Sequence, residues 1–362
     1  MVLLLNNDEV RSVLDMKLCM EALEEAYKAS AMGEAANRNK THIFSPTSNP
    51  ERFHRFKTFE GAILKDKVTV LHIVSDILSY RMVHGVLREE KLPIAPGERY
   101  VAFDLLFSVE NGELLAIIPI GFIQRMRVGG SCGLATKYMA RQNAEVLGLI
   151  GSGWQAGAQV LAHSIARPLK LIKVYSPNRE HRERFAREMS EEVAAEVIPV
   201  DSPEEAAREV DILAEATNSR DPLIKEEFLR PGIHISSIIG GPDDAAYVKI
   251  NRIIQRDRVA TNEKAPRLFV GDVKERLPRS KVEKCFREHP KYKNISEIPS
   301  LGEVIAGMVP GRDNPQEITY FDSDAGLGIE FAAVDYRVYE EAKKRGLGQS
   351  LPSDWFSQKE RP

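Results

Sequence analysis

The apolar run Val146 to Gly151, whose last residue opens the segment Gly151-Ser152-Gly153-Trp154-Gln155-Ala156, constrains the fold of this chain more than any other feature. A short, unbroken apolar run reads as a strand covered on both faces. The GxGxxA segment after it reads as the turn that opens a helix. Gly151 allows the tight turn, and Gly153 lets the backbone come close to a pyrophosphate. Ala156 lets helix and strand pack closely, while the helix N-terminus, with Ser152 and Gln155 beside it, offers N–H groups to phosphates.

The flanking sequence supplies the context this motif needs. A helix is expected from Gln155 to about Ala166, a strand over Leu171 to Ser176, a charged helix from Asn178 to about Glu192, and a strand over Glu196 to Val200. Ser202-Pro203-Glu204-Glu205 reads as a capping box with Pro at the first helical position. Asp211 to Thr217 and His234 to Ile239 read as two more strands. Strands alternating with helices over short connections imply a parallel, doubly wound sheet.

Before residue 126 the pattern differs. Asn6 or Asn7 caps a short helix, and Asp15 caps a second that ends at Gly33. Lys67 to Val74, Arg99 to Val109 and Glu113 to Ile120 read as strands, the last two joined by Glu110-Asn111-Gly112 in a hairpin, so an antiparallel sheet is expected. Near the end, Ile329 to Arg345 reads as a helix stopped by Gly346. The expected fold class is α/β, with a Rossmann-type doubly wound parallel sheet inserted in a mixed α+β substrate-binding and dimerisation domain. The expected boundaries are 1–125 plus 320–350 for the mixed domain, 126–319 for the dinucleotide-binding domain, and 351–362 for a loose tail. In that tail Trp355 and Phe356 pack either on a partner subunit or on the parent domain.

Composition agrees with this layout. At roughly 150 residues per domain, 362 residues make two or three domains. A net charge of −3 argues against a protein built mainly to hold nucleic acid or an anionic membrane. Cys19, Cys132 and Cys285 stand far apart, which suits a reducing compartment. The apolar stretch Leu114 to Ile123 contains Pro119 and is too short for a membrane span. The opening MVLLLNNDE lacks the basic region of a signal peptide. A soluble, cytoplasmic protein is expected. The eight histidines show no paired spacing, so no catalytic metal is expected.

The second strand of the parallel sheet bears on cofactor choice. An acid about 20 residues past the glycine turn normally holds the ribose 2′-hydroxyl of NAD. Here the segment is Tyr175-Ser176-Pro177-Asn178-Arg179. Ser176 and Asn178 can hydrogen-bond, and Arg179, with Arg182 a turn later, can face a 2′-phosphate. The expected cofactor is therefore NAD(P), leaning to NADP(H). Arg179 and Arg182 can equally pair with Glu183 or Glu188 on a solvated helix face. Thr217 and Asn218 end a parallel strand, where they would reach the nicotinamide half.

With Arg127 to Lys137 and the glycine turn in view, the chain resembles the ornithine cyclodeaminase/mu-crystallin family. The resemblance extends through Pro231-Gly232-Ile233-His234, Leu301-Gly302-Glu303-Val304 and Thr319-Tyr320-Phe321-Asp322-Ser323 to Ala342 through Gly348. Phe56-Lys57-Thr58-Phe59-Glu60-Gly61 with Ser75-Asp76-Ile77 is similar to a group that accompanies amine oxidation as the second subunit of tyramine oxidase. The resemblance implies a homodimer, an NAD(P) cofactor and a small amino or imino acid substrate, while the charge balance leads to the expectation of no nucleic-acid or membrane partner. The activities it implies are imine reduction or amino-acid dehydrogenation, ornithine cyclisation to proline with loss of ammonia, or a non-catalytic nucleotide-binding or accessory role.

The resemblance also assigns residues. Arg127 matches an arginine that holds the substrate carboxylate, Arg38 falls near a second such arginine, and Ser323 matches a serine near the nicotinamide. A family lysine expected near Thr69 is absent. Lys67, Lys57 or His72 could stand in, with Lys57 preferred and His72 read as a core histidine. The acid that cyclisation requires would fall at Gly241, whereas the acids here are Asp243 and Asp244. Asp243 is the candidate base, and its displacement favours hydride transfer over cyclisation. Cys132, within Gly129-Gly130-Ser131-Cys132-Gly133, is read as close packing rather than a nucleophile, and Lys281 to Lys293 as solvated surface.

Overall fold

The computed structural model describes residues 1–83, 86–97, 99–219, 221–258, 267–277, 289–323 and 326–359, without the side chains of 82–88. His84, Cys285 and most of the Lys281 to Lys293 run lie outside the described residues. The chain opens with β1 (Val2–Leu4), α1 (Asn7–Val13) and α2 (Met16–Ala31). Asn6 closes a capping box with Glu9, and Asp15 accepts from the Leu18 N–H, so both helices start where their caps put them. Then come β2 (Ala35–Pro46), β3 (Arg52–Ile63), β4 (Val68–Val83), β5 (Val86–Leu92), β6 (Val101–Ser108) and β7 (Leu114–Pro119). The turn at Gly112 has φ +76, as the hairpin signal requires.

The helix α3 (Gly121–Met139) leads from this sheet into the parallel one and is buried on nearly every side. The parallel sheet is laid down by β8 (Val146–Ile150), α4 (Trp154–Ala166), β9 (Leu171–Tyr175), α5 (Arg179–Glu192), β10 (Glu196–Pro199), β11 (Ile212–Glu215), β12 (His234–Ser237) and β13 (Arg252–Gln255). Next, β14 (Arg267–Phe269) returns to the first sheet, and β15 (Thr319–Asp322) joins the second. A C-terminal helix (Gly328–Lys344) and β16 (Gln349–Leu351) complete the chain.

The parallel sheet runs β10-β9-β8-β11-β12-β15-β13, with every neighbouring pair parallel. The chain therefore folds as expected into a doubly wound α/β sheet joined to a mixed α+β part. Three details differ from the sequence reading. Thr319–Asp322 lies inside the parallel sheet, beyond the boundary drawn at 319. Arg267–Phe269 pairs with β2 although it falls within 126–319. The first sheet, ordered β14-β2-β3-β4-β6-β7-β1-β16, is not wholly antiparallel, because β1 pairs β7 and β14 pairs β2 in parallel. A smaller correction concerns the helix Pro203–Ala207. Ser202 caps it, but the Glu205 carboxylate accepts from the Asp201 N–H, so the capping box does not close.

Helix α3 carries glycines because α4 lies against it. A Cβ on Gly129 or Gly133 would come within 2.7 Å of Ala158 or Ala162 respectively. Cys132 in this stripe is fully buried, in agreement with a packing role. On the other side, a Cβ on Gly61 would lie 2.2 Å from the Gly328 carbonyl carbon, and one on Gly328 2.0 Å from the Glu60 carbonyl oxygen. This pair of glycines lets the C-terminal helix start directly on β3. In the tail, Trp355 is 69% and Phe356 44% exposed.

Candidate active site

Strand alternation decides what β3 presents. Phe53, Arg55, Lys57, Phe59 and Gly61 share the face that meets the C-terminal helix. Cross-strand pairing puts His72 beside Phe59, Val74 beside Lys57 and Asp76 beside Arg55 on β4. The floor is aromatic: His72 stacks on Phe331 at 3.8 Å between ring centroids, and Phe59 meets His72 edge-on at 5.0 Å. Arg127 lies over the same Phe331 ring at 4.9 Å, and the Lys57 ammonium is 5.5 Å from the Phe59 ring. Lys57 and Arg127 thus flank one aromatic floor.

Arg127 is buried and firmly held. Its Nη1 donates to Glu330 at 2.8 Å, and its Nη2 and Nε donate to the Gln124 side chain at 2.8 and 3.2 Å. A guanidinium has five N–H donors, so this leaves part of the fork for another acceptor. Glu330 also accepts from Tyr27 at 2.5 Å and from Arg256 at 2.9 Å. Burial alone would push the Glu330 carboxyl up, but Arg256 and Arg127 hold it below the usual range. Sequence reasoning missed Glu330 and Arg256. Glu330 left a signal, a single acid in the apolar run Gly328 to Val334, whereas Arg256 lies in the charged run Gln255 to Arg258 and left none.

Lys57 is the second feature. Burial, with Lys91 and Arg55 beside it, brings its ammonium down to about 7. The neighbouring carboxylates are already taken: Asp76 pairs with Arg55 at 2.6 Å and Lys91 at 3.2 Å, and Glu89 with Arg55 at 3.0 Å. His72 donates to or accepts from Asp104 at 2.6 Å and is a satisfied core histidine, as expected. Lys67 is exposed and paired with Glu110.

Two expected site residues are placed elsewhere. A bulge between Arg38 and Thr41 shifts the face that β2 presents. Arg38 therefore pairs with Glu60 on the side opposite Lys57, with its side chain 70% exposed. Asp243 caps the short helix Asp244–Tyr247, accepting from the Ala246 N–H at 2.8 Å, and pairs with Lys225 at 3.5 Å. Its carboxylate is engaged in the loop rather than available as a base.

The glycine turn has the form the motif requires. Gly151 has φ +122, and a Cβ there would meet the Ala216 carbonyl oxygen at 2.3 Å. A Cβ on Gly153 would meet nothing within 4 Å, and no side chain caps α4. The helix start therefore faces open space with its N–H groups, as a diphosphate would need. Ala156 is fully buried against the sheet, and Gln155 keeps a buried side-chain oxygen without a partner among the described residues. Ser152 donates to Ser176 at 2.7 Å. Asn178 caps α5 through the His181 N–H. Arg179 pairs with Glu183 at 2.7 Å with its side chain 77% exposed, whereas Arg182 is buried against the Ser176 carbonyl and Asp201. Arg182 is thus structural and does not face a ribose. Thr217 donates to Glu215 at 2.6 Å beside an exposed Asn218, and Ser323 accepts from Arg256.

Comparison with known proteins fits this geometry. A model of the ornithine cyclodeaminase/mu-crystallin family matches residues 75–346. Alanine dehydrogenase of Archaeoglobus fulgidus is 27% identical over 352 residues, covering 96% of this chain and 98% of that protein. Delta(1)-pyrroline-2-carboxylate reductase of Bacillus cereus is 29% identical over 253 residues, covering 68% of this chain and 73% of that one. Among solved structures, the Thermococcus litoralis Delta(1)-pyrroline-2-carboxylate reductase, in complex with NADH and L-proline, superposes with a TM-score of 0.75. It is 25% identical and covers 97% of this chain and 100% of its own.

Proposed function

This chain belongs to the ornithine cyclodeaminase/mu-crystallin family, and from that premise we propose that it is an NAD(P)-dependent oxidoreductase acting on the C–N bond of a small amino or imino acid. The observation that carries this reading is the placement of Lys57, an ammonium with no ion pair among the described residues, on the same aromatic floor as the buried Arg127 guanidinium. The open turn at Gly151 and Gly153 and the uncapped start of α4 suit the diphosphate of a nicotinamide dinucleotide. Bound there, that cofactor supplies or removes a hydride.

The protein's own work is then orientation and proton handling. Arg127, fixed by Glu330 and Gln124, offers its remaining N–H groups to the substrate carboxylate. Lys57 gives a proton to the substrate nitrogen in the reductive direction and accepts one in the oxidative direction. A pKa near 7 suits both tasks. Cyclodeamination is the weaker reading, because Asp243 is engaged as a helix cap. We retain a lean to NADP(H), since β9 is followed by Ser176 rather than an acid, with the solvent-facing Arg179 nearby.

The outer face of the first sheet carries Ile43, Phe56, Ile73, Ile77, Phe103 and Leu105, all partly exposed. A second copy of the chain pairing over this face would account for it, giving the homodimer. The test of function is absorbance at 340 nm with NADPH or NADH while 2-oxo acids are offered with ammonia or methylamine. Oxidation of the coenzyme only when both partners are present, faster with NADPH, supports the proposal. No oxidation with any pair, or release of proline from ornithine alone, contradicts it.

A further inference from the structure

Two side chains on the site face, Arg267 and His42, have no role so far, and they line up with Lys57. Arg267 on β14, His42 on β2 and Lys57 on β3 are direct cross-strand neighbours. Phe269 stacks on Phe44 at 5.6 Å two residues further along both strands, which puts Arg267 on the same face as His42. His42 is 91% buried, being 9% exposed, yet neither ring nitrogen has a hydrogen-bond partner among the described residues. A buried imidazole without a partner is unfavourable unless something else completes it.

The surroundings fix what that partner can be. Burial, then Arg55, Lys40, Lys57 and Arg267, press the ring toward its neutral form, with a pKa of about 3. A cationic group would enter a field that is already positive. The nearby acids, Asp76 and Glu89, are bound by Arg55 and Lys91 and do not reverse that field. An anionic acceptor would take the imidazole N–H and lie between two cations.

We propose that Arg267 and His42, in line with Lys57, form a subsite for a second acidic group, so that the substrate is an amino or imino dicarboxylic acid rather than a diamino acid. The inference rests on the functional reading above and narrows its substrate class. Arg127 takes the carboxylate beside the reacting carbon, and the His42 row takes the distal one.

The test separates the two claims. Titration calorimetry measures binding of succinate and of butyrate to protein saturated with NADPH, with no turnover needed. Succinate should bind about tenfold or more tightly than butyrate, and His42→Phe, which keeps the ring packing, should weaken succinate by about tenfold. His42→Gln, which restores an N–H donor, should recover part of that loss. Arg267→Ala, at an exposed position, should weaken succinate in the same direction if His42→Phe fails to fold. In kinetics, the ratio of kcat/KM for 2-oxoglutarate with ammonia to that for 2-oxobutyrate with ammonia should fall in His42→Phe, through KM. Equal binding of succinate and butyrate, or succinate binding indifferent to both His42 and Arg267, overturns the subsite. If no imino acid is reduced but succinate binding depends on His42, the catalytic reading falls and the subsite stands.

Discussion

Replacing Glu330 with Gln tests the platform that holds Arg127. Each carboxylate oxygen receives three donors. Tyr27, Ser131 and Arg256 reach Oε1 at 2.5, 3.1 and 2.9 Å. Arg127, Arg256 and the Leu327 N–H reach Oε2 at 2.8, 3.1 and 3.0 Å. The amide keeps the shape but points an NH2 at donors and takes the countercharge from between two buried guanidiniums. Breaking a buried pair this way costs about 3–5 kcal/mol. An unfolding entropy of about 2.1 cal/mol/K per residue makes this a drop in Tm of roughly 4–7 °C if the chain unfolds as one unit. The pH dependence has a definite sign. Burial raises the Glu330 carboxyl, but the guanidiniums and hydrogen bonds leave it lower in the folded chain than in the unfolded one. Its stabilisation is therefore complete above the ordinary glutamate range and is lost as pH falls through the depressed value. Thermal scans of parent and variant should show the full gap at pH 7 and a narrowing gap below about pH 4. A Tm within about 1 °C of the parent at pH 7, or a gap that widens in acid, would refute the platform.

Three further outcomes follow from the same geometry. Lys57→Met should lower kcat by about 10²–10⁴-fold. In the parent, kcat/KM for imine reduction should fall as pH rises through about 7, while the oxidative direction rises over the same interval; profiles flat from pH 6 to 8.5 in both directions would dismiss Lys57 as the proton carrier. Gly153→Val should leave the Tm of the coenzyme-free protein nearly unchanged, because the added Cβ meets nothing within 4 Å. The same change should sharply weaken NADPH binding followed by fluorescence, and a variant that binds as the parent does would move the diphosphate elsewhere. Phe103→Asp, on the partly exposed sheet face, should shift the mass measured by light scattering from two copies toward one; a parent that is already monomeric removes the proposed pairing.

The parallel sheet is legible because each level of the sequence agrees. Apolar strands, capped helices and a glycine turn all point to one arrangement, and β8, α4, β9 and α5 begin and end within a residue or so of the expected places. The first sheet is harder for a physical reason. Its site face carries Arg55, Lys57, Asp76 and His42, which break the apolar alternation that marks a half-buried strand. The pattern therefore does not reveal β2 and β3, and it stops β4 at Val74, just before the ion-paired Asp76. Conflicts of this kind between local pattern and fold gather where a protein binds something. Arg38 is assigned by the resemblance alone, and the bulge in β2, which cannot be read from spacing, puts it on the side opposite Lys57. Lys57 is found through its motif, whereas its setting among cations needs the cross-strand pairs. Glu330 is overlooked because a single charge in an apolar helix looks like helix surface until the fold buries it, and Arg256 because it lies in the charged run Gln255 to Arg258, which reads as solvated.

The most direct measurement follows hydrogen. NADPH or NADH carrying deuterium at the transferable position is incubated with the protein, ammonia and 2-oxoglutarate, and the amino acid product is weighed by mass spectrometry. Hydride delivery to the imine carbon predicts one deuterium at the α-carbon and an equal amount of oxidised coenzyme. Product without deuterium, or coenzyme that stays reduced across every oxo acid and amine pair, contradicts the account.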